Sequence, residues 1–144
     1  MYKVTKHFEF EASHRLNALP EGHQCRNLHG HTYHVEVTVG SHYLDKRGFV
    51  VDFGELKTIQ KRIMDDWDHA IIVSQSDPLL TKITAIGGKL FIFPYENPSA
   101  ENMCHYIHGL TTETLLKSYP MQKFKVWIRV WETTNNVAEY TDVD

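Results

Sequence analysis

The sequence predicts one α+β domain over residues 1–144, with two helices laid on one face of a four-stranded antiparallel sheet in the order β-β-α-α-β-β. Three observations carry that reading. Apolar and polar residues alternate strictly near both ends of the chain, apolar residues recur at three- and four-residue spacing in two middle segments, and turn residues separate these stretches.

The opening run Tyr2 to His14 puts Phe8, Phe10, Ala12 and His14 on one face, and His7, Glu9, Glu11 and Ser13 on the other. Residues 15–28 contain Pro20, Gly22 and Asn27 and read as a long loop. A second strand follows, with His29, His31, Tyr33, Val35, Val37 and Val39 on its inner face. The two strands are expected to pair antiparallel. Asp52-Phe53-Gly54-Glu55 reads as a capping box, in which Asp52 accepts early helix amides and Glu55 reaches back. The helix it opens would bury Phe53, Leu56, Ile59, Ile63 and Trp67 and stop near Asp66. Residues 74–98 carry the weakest pattern; Gly87-Gly88 between two apolar runs predicts a small hairpin. Ser99 is a good N-cap for a second helix with Met103, Tyr106, Ile107, Leu110 and Thr114 inward, ending before Pro120. Phe124, Val126, Ile128, Val130 and Glu132 mark a third strand, and Val137 to Val143 return as the fourth.

Composition narrows the function classes. An apolar content of 42% is ordinary for a globular chain, and a net charge of −3 with scattered basic residues argues against nucleic acid or an anionic membrane as partner. Apolar stretches such as Leu90 to Phe93 are too short to span a bilayer. Lys3, Lys6, His7, Glu9 and Glu11 break any signal-peptide pattern, so a cytoplasmic protein with both cysteines as thiols is expected.

His14 and the His29-Gly30-His31 pair are the most telling residues. Residues i and i+2 of a strand share a face, so His29 and His31 can reach one ion, with His14 as a third nitrogen from the neighbouring strand. Three neutral imidazoles leave a bound Zn²⁺ its full charge and an open position, the arrangement of a catalytic site. A lone strand histidine is ordinarily just a polar residue, and His7, His23, His34, His42, His105 and His108 are read that way. Cys104, within a helix, reads as packing. Cys25 lies in a polar loop four residues before His29 and is open to three readings: a fourth ligand, a base, or incidental. A divalent cation nearby favours thiolate over thiol. Asp68-His69 is either the polar end of a helix or a pair in which Asp68 holds the imidazole's tautomer. Glu132 ends an inward series; a buried carboxylate there needs a donor, which the N–C–NH₂ edge of a pterin or guanine provides.

Six blocks, in order, resemble the pterin synthases of the tunnelling fold: Phe10 to Leu16, Glu21 to His31, Val51 to Lys57, Asp68-His69, Asn97 to Asn102, and Trp131 to Thr133. The Cys-x₃-His-Gly-His spacing looks like the 6-carboxytetrahydropterin branch of the 7-deazaguanine (queuosine) pathway rather than the 6-pyruvoyl branch. The resemblance implies zinc on His14, His29 and His31, and Cys25 as the proton-abstracting base. It further implies His69 as acid–base partner oriented by Asp68, Glu132 anchoring the pterin and taking part in the proton relay, and Ser99 contacting the pterin where threonine is frequent. The implied substrate is 7,8-dihydroneopterin triphosphate, converted with release of acetaldehyde and triphosphate. Sheets joined edge to edge into a homo-oligomer, a hexamer made of two trimers with active sites at subunit junctions, are also implied. The segment from Ser74 to Glu96 is longer than in minimal family members and receives no role. No Arg or Lys cluster marks a triphosphate site, and Arg15, Arg26 and Lys89 stay unassigned. The rival readings are the pyruvoyl chemistry, a non-catalytic zinc- or pterin-binding domain, and a cupin-like site of His29, His31 and Glu36.

Overall fold

A computed structural model describes residues 1–143. Strands β1 (Tyr2–His14) and β2 (His29–Ser41) form the long antiparallel pair that the alternation predicts, with Phe10 opposite Tyr33 and His14 opposite His29. A short 3-10 turn, Gln24–Arg26, interrupts their connection. Helix α1 (Phe53–Trp67) is followed by β3 (Ala70–Ser74), α2 (Leu80–Ile86) and β4 (Leu90–Phe93). Helix α3 (Ala100–Ser118), β5 (Lys125–Thr133) and β6 (Asn136–Thr141) complete the chain.

The fold class holds, and the α+β architecture carries more than the expected elements. The sheet has six strands in the order β4-β3-β1-β2-β5-β6. Four of them, β1, β2, β5 and β6, are the predicted antiparallel set. Strands β3 and β4 extend it in parallel, β3 against residues Ala12–His14 of β1 and β4 against β3. The predicted hairpin at Gly87-Gly88 is therefore corrected. Residues 80–86 are helical, Gly87 ends that helix at φ 82°, and α2 is the crossover that a parallel β3–β4 pair requires.

Leu56, Ile59, Ile63 and Trp67 of α1 and Met103, Ile107, Leu110 and Leu115 of α3 are buried with the inner residues of β1, β2 and β5 in one core. Phe53 is not in that core. It stands in the first turn, 54% exposed. Only half of the capping box forms: Asp52 Oδ1 accepts from Gly54 N–H at 2.8 Å, but the Asp52 amide donates to the Tyr119 hydroxyl at 3.1 Å. Tyr119 thereby ties the end of α3 to the start of α1. Lys89 is spent at the other end of α1, where its ammonium donates to the Asp68 carbonyl at 2.7 Å and neutralises the helix's negative pole. No helix among the described residues is long and apolar enough to cross a membrane.

Candidate metal centre and active site

The antiparallel register sets His14 directly across from His29, at the end of the inner sheet face, and the pleat brings His31 alongside. The three rings stand edge to face, with centroids 4.7, 5.1 and 4.9 Å apart. One ligand atom from each lies within 4.8 Å of the other two, so the trio is able to hold a metal ion.

Backbone carbonyls fix the tautomers. His14 Nδ1–H donates to the Pro98 carbonyl at 2.7 Å, and His29 Nδ1–H donates to the Asn27 carbonyl at 2.7 Å. A carbonyl only accepts, so in each neutral ring the proton is on Nδ1 and Nε2 is bare. Those two bare Nε2 atoms face each other at 3.2 Å. Two lone pairs at that distance repel unless a cation lies between them, which is the structural feature that fits a metal.

Burial holds His14 in the neutral form. It pushes the imidazole down to about 4, aided by the neighbouring His29 and His31 and opposed by the Pro98 carbonyl. His31 is lowered as well, by burial and then by His29. Unfolded histidine titrates near 6.5, so between there and about 4 the unfolded chain binds a proton that the folded chain refuses. In metal-free protein this contribution is fully present above pH 6.5 and is lost as pH falls, by on the order of 3 kcal/mol. Urea unfolding at pH 7.5 and 4.5 should show a wild-type loss exceeding that of His14→Gln by this amount. Equal losses in the two proteins contradict it.

Glu132 continues the inner-face alternation of β5, at the point where β5 and β6 slip register between Trp131 and Thr133. Oε1 is 3.8 Å from His14 Nε2, and the side chain is 26% exposed. Burial, with the charge of Glu101 adding and His29 opposing, raises its carboxyl above the ordinary range. Tyr33, two residues beyond His31 on the same face, packs edge to face against His14 and His31 and stacks on Phe10. Its hydroxyl is buried without a protein partner, and burial plus the Glu132 charge push it far toward the protonated form. The i+2 step from His31 was the signal for Tyr33, although in sequence it reads only as another inner-face residue.

Asp68 and His69 do pair: Nδ1 lies 3.0 Å from Oδ2. His69 adopts φ 59°, in the left-handed region, and this folds its ring back onto the preceding carboxylate. The Glu11 amide, more than His69 or Lys89, holds Asp68 below the usual carboxylate range. The His69 ring is 76% exposed and shares a surface depression of about 400 Å³ with His31, Glu11 and Thr32. Cys25 lies in the 3-10 turn, partly exposed, outside the three-histidine cluster. Ser99 caps α3, its Oγ accepting from Asn102 N–H at 3.3 Å, which leaves the hydroxyl hydrogen to donate elsewhere. The His14 anchor Pro98 immediately precedes it, so one turn orders a ligand and starts a helix. Arg15 and Arg26 are internally bonded and do not form a cationic patch.

Compared with known proteins, the family profile described as 6-pyruvoyl tetrahydropterin synthase matches residues 3–142. A 6-carboxy-5,6,7,8-tetrahydropterin synthase of Rickettsia bellii is 38% identical, covering 96% of this chain and 99% of its own. A synthase of the same name from Aquifex aeolicus is 31% identical over 98% of each chain. The structure of 6-pyruvoyl tetrahydropterin synthase from Plasmodium falciparum superposes with a TM-score of 0.74 at 21% identity. It covers 98% of this chain and 97% of that one, and shows the shared fold.

Proposed function

This chain belongs to the 6-pyruvoyl tetrahydropterin synthase family, and from that premise we propose that it is a zinc-dependent 6-carboxytetrahydropterin synthase. It converts 7,8-dihydroneopterin triphosphate and one water to 6-carboxy-5,6,7,8-tetrahydropterin, acetaldehyde and triphosphate, in a 7-deazaguanine pathway such as that of queuosine. The observation that carries the zinc reading is the pair of bare Nε2 atoms 3.2 Å apart. Ligands at 2.0–2.1 Å in a tetrahedron are separated by about 3.3 Å.

His14, His29 and His31 would hold the ion. Bound there, zinc supplies a Lewis acid that lowers the pKa of the substrate's side-chain hydroxyls. Cys25 takes a proton from that side chain. His69, its tautomer set by Asp68, holds and returns protons as hydrogen moves toward the ring. Glu132 accepts from the N–C–NH₂ edge of the pterin, and Ser99 contributes its hydroxyl to the same ligand.

The exposure of the Asp68–His69 pair supports a site completed at a junction between copies. Two sheet edges support the same reading. Strand β3 covers only Ala12–His14 of β1, and Asp68 and His69 take up the Glu11 backbone, which leaves β1 from Tyr2 to Phe10 without a paired strand on that side; among the described residues β6 pairs only with β5. Open edges of this length need covering, and a homo-oligomer, a hexamer of two trimers, covers them.

Turnover of dihydroneopterin triphosphate by zinc-loaded protein, with products identified by mass spectrometry, tests the assignment. Acetaldehyde and the 6-carboxy product are expected, and both should vanish on chelation while the fold survives. A 6-pyruvoyl product overturns the branch. A zinc-loaded protein without turnover overturns the enzyme reading in favour of a binding domain.

A further inference from the structure

Arg15 and Asp77 form an ion pair inside the protein, in the neighbourhood of the site but with no part in its chemistry. Each residue is 5% exposed. Arg15 follows the ligand His14 directly, whereas Asp77 lies in the β3–α2 connection, the part of the chain whose sequence carries the weakest pattern.

The hydrogen bonds of this pair lead to one place. Arg15 NH1 donates to Asp77 Oδ1 at 2.8 Å, and Arg15 Nε donates to the Arg26 carbonyl at 2.8 Å. The next amide, Leu16 N–H, donates to the Cys25 carbonyl at 2.9 Å. Two consecutive residues after a histidine ligand therefore grip the two consecutive carbonyls of the turn that carries Cys25. Asp77 fixes the far end of the guanidinium, and its own Oδ1 is held by the Leu79 amide at 2.8 Å. Arginine suits this role because its planar fork serves two acceptors in different directions, which a lysine ammonium cannot reproduce at the same geometry. As a source of stability alone the pair is a poor choice, since apolar residues of similar volume commonly serve a buried position as well or better.

We propose that Arg15 and Asp77 are positioning residues that hold the Cys25 turn in register with the histidine cluster, so that the residues 74–96 serve the reaction through this contact. The proposal rests on the reading of Cys25 as the base for its effect on turnover, but its structural half stands apart from that reading.

The test uses zinc-loaded protein and two variants. Arg15→Lys keeps the charge pair and drops the bond to the Arg26 carbonyl. Hydrogen exchange at the Leu16, Arg26 and Asn27 amides should quicken about 10-fold, with the β1–β2 ladder and metal content unchanged. Turnover should fall by up to about 10²-fold in kcat with KM nearly constant. Arg15→Met combined with Asp77→Leu keeps the interior packed, yet should leave the turn amides fast and kcat low. Uniform acceleration across the chain, unchanged turn amides in Arg15→Lys, or recovery of both readouts in the double variant overturns the proposal. Fast turn amides with wild-type kcat support the bracket and sink the assignment of Cys25 as base instead.

Discussion

His29→Ala is expected to lower turnover by about 10³-fold or more and to leave the protein without metal, with the fold intact. A Lewis acid contributes several kcal/mol to charge stabilisation, and that is the size of this loss. In metal-free protein the His14 and His29 Nε2 atoms confront each other at 3.2 Å with no proton of their own to share. Removing one of them relieves that repulsion, so the metal-free variant should match metal-free wild type to within about 0.5 kcal/mol. Wild type should then gain about 2.7 kcal/mol at a hundredfold excess of zinc over its Kd, while the variant gains little. Urea unfolding with and without zinc, beside turnover, checks both arms. A variant that keeps zinc and turnover contradicts the account, and so does a metal-free variant that loses several kcal/mol.

Cys25→Ala should lower kcat by about 10²–10⁴-fold, the span of a lost acid–base group, and leave zinc content unchanged. The backbone of the turn survives the substitution, because the Cys25 amide donates to His23 Nδ1 and its carbonyl accepts from Leu16. The experiment separates the three readings that the sequence leaves open. Loss of zinc identifies a fourth ligand, unchanged turnover an incidental residue, and loss of turnover with zinc retained the base. Metal analysis and steady-state kinetics on the same preparation are sufficient.

Much of this site was legible because its elements bury one face. Strand alternation places Phe8, Phe10, Ala12 and His14 inward by burial alone, and the His-x-His step adds two more rings to that face. The tautomers were not legible, since they depend on the carbonyls of Pro98 and Asn27, which no side-chain identity encodes. The position of Glu132 was half legible. Its place in the alternating series pointed inward, but its approach to His14 is set by the pairing of β5 with β2 and of β2 with β1. Strand β3 was missed, and β4 was read as an arm of a hairpin rather than as a parallel partner of β3, for a different reason. They are short, they pair in parallel across a helix, and neither has a local turn signal except Gly87-Gly88, which belongs to a helix end. The Arg15–Asp77 contact spans 62 residues and is set only by the tertiary fold.

X-ray absorption at the zinc edge of protein reconstituted with one equivalent of zinc is the most direct test of the claim that three imidazoles share one ion. The account predicts three imidazole nitrogens at about 2.0–2.1 Å and one further light ligand in the open position. A sulfur shell at about 2.3 Å, or fewer than three imidazoles around the metal, contradicts it.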